Sequence, residues 1–215
     1  MRVMSPAVNA PSGDAPPGAA LAGDARSRLL AAAVEAFAAK GFHGTTTRDI
    51  AAAAGMSPAA LYVHHRSKEE LLHAISSEGH RRTLALCEEA VRSEGSHAAR
   101  LDRLVAAFAR HHAVNHTSAR VVNYELAALS EAHRAEIEEQ RRRIEHVVRD
   151  LLVAGVEAGE FQTPDPVMTA AALLSLGVDV ARWYRTGAGW TPEQLAEHYV
   201  VLARRMAGVV DDRPA

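Results

Sequence analysis

Residues 41–68 read GFHGTTTRDIAAAAGMSPAALYVHHRSK, and their local chemistry decides the fold. Thr45, Thr46 and Thr47 offer hydroxyls where a starting helix has free N–H groups. The spacing predicts a short helix from about Thr46 to Ala54, with Ile50 and Ala51 inward and Arg48 and Asp49 outward. Gly55 follows as the exit residue, because without a Cβ it takes the left-handed conformation at little cost. Met56 packs the turn. Ser57 caps a second helix, Pro58 to about His64, and Pro58 sits at its first position, where a missing N–H costs nothing. Leu61 points into the core, while Ser57, Ala59, Ala60, Tyr62 and His64 make a small, polar outer face. Ser67 caps a third helix with Lys68 in its first turn, and Glu70, three residues on, completes a capping box. Two short helices around a tight turn form a helix-turn-helix, which lays its second helix in the major groove of DNA.

The run FAAKGFHGTTTRDIAAAAGMSPAALYVHHRSKEELL resembles the DNA-binding domain of TetR-family transcriptional regulators, over about residues 26–72. The resemblance implies roles by position. Thr47 and Lys68 would bind phosphates, Lys68 beside a helix N-terminus. Tyr62 would lie against the DNA backbone and His64 would contact phosphate. Arg48 would reach a guanine edge, for which a forked guanidinium is suited. Ser57, Ala59 and Ala60 would face base edges, the alanines by apolar contact with thymine methyls. Thr46 and Pro58 complete the set expected at the DNA. Much of the family carries an aromatic after the histidine of Y-x-H. Here His65 stands in its place, half-buried and structural by expectation.

Composition fits a cytoplasmic regulator. The 215 residues suffice for one DNA-binding domain and one larger helical domain. Apolar residues make up 48%, mostly Ala, Leu and Val, with only 5% aromatics, which favours helix over strand. The formal net charge of -2 excludes a general polyanion binder. Local charge is enough: within the motif Arg48, Arg66 and Lys68 face a single Asp49. The lone Cys87 allows no disulfide framework and no cysteine metal cluster. No apolar run has transmembrane length, and the N-terminus lacks the apolar stretch of a signal peptide, so no membrane partner is expected. Residues 1–23 are rich in Pro, Gly, Ala and Ser and are expected to be a disordered, inert arm; Arg2 alone could touch DNA.

The remaining pattern is helical throughout, so the expected fold is all-α. Residues 24–75 form the DNA-binding domain, 76–208 a helical ligand-binding and dimerisation domain, and 209–215 a flexible tail. Helices are expected at about 25–40, 77–94, 98–115, 118–129, 132–158, 167–185 and 192–206. The charged stretch 136–145 reads as a solvated face, with a route for ligand phosphates or a partner contact as the alternatives. The last two helices are apolar nearly all round and need a cover. In TetR-like proteins the last helices form a four-helix dimer interface, and a palindromic operator requires a dimer.

Two further segments, VNYELAAL (122–129) and DVARWYRTGAGWTPEQLAEHY (179–199), are similar to the C-terminal domains of TetR-type repressors of fatty-acid, phenylacetate and steroid-ring catabolism. That resemblance implies an acyl-CoA thioester as effector, its tail in an apolar pocket and its phosphates met by cations. Phe108, Arg120, Asn123, Tyr124, Arg143, Arg182 and Trp183 are the ligand candidates, with Arg141, Arg142 and Arg185 as further cations. Trp183 is equally open to core or dimer packing. The alternative is a repressor of an efflux or resistance gene that senses a flat hydrophobic drug on Phe108, Tyr124 and Trp183. His112 and His116, at i and i+4, have the spacing for a divalent ion on one helix face, but no cysteine stands near. No cofactor is expected. Enzyme motifs are missing: there is no G-x-S-x-G, no G-K-[ST] loop and no H-E-x-x-H. A helical adaptor carrying a helix-turn-helix is the third class, and it would lack the steep salt dependence of DNA affinity.

Overall fold

The computed structural model describes residues 17–187 and 189–210. Nine α-helices make up the described part: α1 Pro17–Gly44, α2 Thr47–Ala53, α3 Pro58–His64, α4 Lys68–Arg92, α5 His97–Val114, α6 His116–Tyr124, α7 Glu131–Glu157, α8 Pro166–Trp183 and α9 Pro192–Ala207. A single 3-10 turn, Leu126–Ala128, links α6 to α7. The all-α expectation holds: the described residues contain no strand beyond the isolated Phe161–Val209 bridge.

The predicted caps set most of the boundaries. Thr46, Ser57 and Ser67 each accept a backbone N–H at the start of α2, α3 and α4. Thr191 and Gln194 form a reciprocal box at α9. The box expected at Ser67 differs in one half: Glu70 accepts from the N–H of Arg66 rather than from Ser67. Gly55, at φ 67°, makes the turn between α2 and α3 that a side chain would strain.

Other expectations are corrected. The arm does not extend to residue 23, because α1 begins at Pro17; residues 1–16 lie outside the described part. The helix does not pause at Ser76 and Ser77 but runs unbroken through α4 for 25 residues. Its buried positions, Leu72, Ile75, Ser76, His80, Thr83, Leu84 and Cys87, recur every three or four residues, so one packed stripe carries the helix across the serines. The domain boundary drawn at residue 75 therefore falls inside a helix. Val209 and Val210 are not loose either: their N–H groups bond to Arg204 O and Glu160 O, at 2.9 and 3.0 Å. Residues 211–215 lie outside the described part.

Two large hydrophobic cores result, with a smaller cluster of Ala113, Val180, Tyr184 and Leu195 beside them. The first joins α1, α2, α3 and the start of α4, and it also takes in Val121, Val122, Leu129 and Ile137 from α6, α7 and their link. The second lies among α4, α5, α7, α8 and α9 around Leu101, Phe108, Val148 and Leu152. The N-terminal helices α1 to α3 and the larger bundle thus share apolar packing through α6. At the centre of the bundle α8 comes close to α5: a Cβ on Gly177 would lie 2.4 Å from a ring carbon of Phe108, so only glycine fits there.

Candidate functional site

The outer face of α2 and α3 is assembled by short polar bonds. Thr46 Oγ1 accepts from Asp49 N at 3.1 Å, and Asp49 accepts in return from the N–H and hydroxyl of Thr46. These bonds hold the Asp49 carboxyl below the usual carboxylate range, the backbone N–H contributing most. Asp49 is thereby spoken for inside α2. Arg48 beside it is exposed and makes no hydrogen bond or ion pair among the described residues. The Thr47 hydroxyl meets the Tyr62 hydroxyl at 3.2 Å, tying α2 to α3 across the turn.

On α3 only Leu61 is buried. Ser57, Pro58, Ala59 and Tyr62 are exposed, and Ala60 and His64 are half-buried. The sequence reading missed Val63, which is 80% exposed. Its exposure depends on α3 ending at His64, and Leu61 alone fixes the rotation of so short a helix. An apolar side chain held in water costs free energy unless something covers it.

Lys68 has internal partners that the sequence did not announce. Its ammonium donates to Phe42 O at 2.8 Å and to Thr45 O at 3.0 Å, and lies 4.3 Å from the centre of the Phe42 ring. It fastens the start of α4 to the carbonyls between α1 and α2. An ammonium has three protons, so one remains for a phosphate. His65 is buried rather than half-buried, and burial lowers its pKa.

The larger bundle holds a small, partly open cavity of about 70 Å³ beside Phe108. Its wall includes His80 and Thr83 of α4, His112 of α5, Asn123 of α6 and Arg141 of α7. Outside it, between α1, α4, α5 and α6, lies an open cleft of about 600 Å³. Thr83, His112, Val122 and Asn123 line both, so they are the partition between cleft and cavity.

Of the seven ligand candidates, this brings together Phe108 and Asn123 only. Arg120 donates to Ala38 O at 3.0 Å and so braces α1. Arg143 pairs with Glu88 across to α4. Arg182 and Tyr124 both reach Asp179, at 3.2 and 3.4 Å, on the outer surface. Trp183 is 40% exposed. Arg141, one of the further cations, is exposed and stands at the edge of the cavity, while Arg143, two residues on, turns toward α4. The metal spacing also dissolves: α5 ends at Val114, so His112 and His116 belong to different helices, and each Nδ1 meets a main-chain carbonyl. Most of the charged stretch on α7 is a solvated face, as read, although Glu136 reaches His73 on α4 at 2.9 Å.

Comparison with known proteins agrees with this architecture. Residues 29–75 match bacterial regulatory proteins of the tetR family, and residues 94–207 match the tetracyclin repressor-like C-terminal domain. The HTH-type transcriptional repressor KstR2 of Mycobacterium tuberculosis is 31% identical over 181 residues, covering 82% of this chain and 90% of that protein. A tetR-family regulatory protein from Rhodococcus RHA1 superposes with a TM-score of 0.82 at 45% identity, over 87% of this chain and 98% of that one. AibR, solved in complex with isovaleryl coenzyme A and operator DNA, shares the fold at 21% identity, with a TM-score of 0.77 over 86% of this chain and 100% of that one. The chain belongs to the TetR family of transcriptional regulators. It is a DNA-binding regulator of the helix-turn-helix type, and no helix among the described residues is long and apolar enough to cross a membrane.

Proposed function

We propose that the chain is a homodimeric repressor that leaves a palindromic operator when it binds a small effector, best read as an acyl-CoA thioester of lipid, steroid or aromatic-acid catabolism. The cleft that touches α1 and shares its inner wall with the cavity carries this reading. An effector wedged between the DNA-binding helices and the bundle has a direct mechanical route to both. The KstR2 relatives are repressors by name, and AibR is a member of this fold that takes a CoA thioester. In this reading Arg48 faces a guanine edge, and Ser57, Pro58, Ala59, Ala60 and Val63 face bases. Thr46, Thr47, Tyr62, His64 and the third proton of Lys68 lie along the phosphates. A thioester would turn its anionic part toward Arg141.

The dimer would form through α8 and α9. Val167, Met168, Leu176 and Trp183 on α8 and Val201 on α9 are exposed apolar side chains that a second copy would cover. Release of fluorescent upstream DNA, followed by anisotropy against CoA thioesters with free CoA and free acids as controls, tests the proposal. Release by a thioester at micromolar concentration, and not by its acid, is expected. DNA binding that no thioester disturbs sinks the CoA reading and brings forward the hydrophobic-drug sensor.

A further inference from the structure

The polar side chains on the cavity wall have already given away protons. His80 Nδ1 meets Ser76 O at 2.8 Å, and His112 Nδ1 meets Phe108 O at 2.9 Å. Thr83 Oγ1 donates to Gly79 O at 3.0 Å, and Asn123 Nδ2 to Ala119 O at 2.8 Å. All four bonds run back four residues along the side chain's own helix, so α4, α5 and α6 each use a main-chain carbonyl to fix the polarity of the wall.

The consequence follows from donor and acceptor types. A carbonyl can only accept, so both imidazole protons sit on Nδ1. Burial pushes both histidines down to about 4, so their rings are neutral near neutral pH. A neutral ring protonated on Nδ1 carries a lone pair on Nε2. Neither Nε2 has a hydrogen-bond partner among the described residues, and neither does the Asn123 carbonyl oxygen. Thr83 likewise keeps only acceptor lone pairs. The charged group on the wall is Arg141, which makes no ion pair or hydrogen bond among the described residues.

We infer that the cavity selects an effector with a hydrogen-bond donor, a hydroxyl or an N–H, on the part that enters it, and with a carbonyl or anionic group of the same molecule toward Arg141. A plain hydrocarbon tail would bury these acceptors without partners, which is costly. A site built to bond a hydroxyl discriminates strongly against the analogue that lacks it. The inference deepens the effector reading and rests on this cavity being the effector site. Within the thioesters it singles out hydroxyacyl or phenolic acyl groups over saturated ones.

Phenol and toluene test the wall, since they are similar in size and differ in the donor. Their binding to the purified full chain, without DNA or CoA, is measured by ligand-observed NMR. Toluene is the more hydrophobic and wins in an apolar hole; phenol is expected to bind at least about fivefold more tightly here. Thr83→Val, which keeps the shape of the side chain, and Asn123→Leu are each expected to shrink that preference. Toluene binding as tightly as phenol, no saturable phenol binding at millimolar concentration, or a preference untouched in both variants overturns the inference. In parallel, 3-hydroxybutyryl-CoA and butyryl-CoA are compared in the DNA-release assay. Equal potency overturns the donor requirement and leaves the thioester reading standing. If neither thioester releases DNA while phenol outbinds toluene, the thioester reading falls and the donor requirement stands.

Discussion

Replacing Lys68 with Met keeps the aliphatic stem and removes the ammonium, so it isolates what the charge does. The loss includes two bonds, to Phe42 O at 2.8 Å and Thr45 O at 3.0 Å, and the cation held 4.3 Å from the Phe42 ring centre. A hydrogen bond from a charged donor contributes about 1.5–3 kcal/mol, and an exposed cation–π contact about 0.5–1 kcal/mol. The sum overstates the effect. Phe42 O still accepts from Thr45 N at 3.3 Å and so keeps a partner. A net loss of about 2 kcal/mol is the expectation. In a chain of this size each kcal/mol moves the melting temperature by about 2–4 °C, so Lys68→Met should melt about 4–8 °C lower. Operator affinity should fall with it, because the strut positions the start of α2. Calorimetry and a salt titration of operator binding separate the roles. An unchanged melting temperature, with the salt slope reduced by about one, would refute the strut and leave Lys68 a phosphate ligand alone.

Leu176→Glu places a charge on the exposed apolar face of α8, where Leu176 is 40% exposed and its substitution leaves the bundle core intact. Sedimentation should then show a monomer and operator affinity should fall at least about tenfold, whereas an unchanged dimer would move the interface off α8. The two cavity histidines make a second prediction, in acid. Their folded pKa of about 4 lies below the unfolded value of about 6.5, so the folded state binds fewer protons. The stability that their neutral form contributes is complete above about pH 6.5 and is lost as pH falls toward 4, at roughly 1.4 kcal/mol per pH unit for each ring. Urea midpoints at pH 7 and pH 5 should differ more in the parent chain than in His80→Leu, and an equal difference in both would contradict the burial argument.

The DNA-reading half was legible in the sequence because its chemistry is local. Ser57, Pro58, Gly55 and Thr46 act within four residues of themselves, and caps of that kind fix a short helix from its own sequence. Even there, Lys68 escaped, because its two carbonyl partners lie 26 and 23 residues away. Of the cavity lining, the ligand candidates read from the sequence included Phe108, Asn123 and the cation Arg141. His80 and Thr83 fall in the helix expected at about 77–94 and were not singled out there; they meet His112 and Asn123 only once α4, α5 and α6 take their register. Their i to i−4 bonds were the available signal, since His80 follows Ser76, and Asn123 follows Ala119, by one helical turn. The arginines misled for the opposite reason. Charge alone nominated Arg120, Arg143 and Arg182, while the helical phase assigned them to Ala38, Glu88 and Asp179.

The unbroken α4 has a mechanical meaning. At 1.5 Å per residue its 25 residues form a rod of about 37 Å. Its first turn is clamped by Lys68 to the end of α1, and His80 and Thr83 in its middle line the cavity. A rod has no joint to absorb a disturbance between those points. A tilt of about 5° around the cavity displaces the clamped end by about 1.6–2 Å, and in a symmetric dimer the two ends move together, for up to about 3–4 Å in the separation of the reading helices. Half-sites on DNA are spaced by the pitch of the duplex and cannot follow. On the proposed reading, the leverage of one straight helix would turn a change the size of a hydroxyl group into a misfit on the scale of a base-pair step.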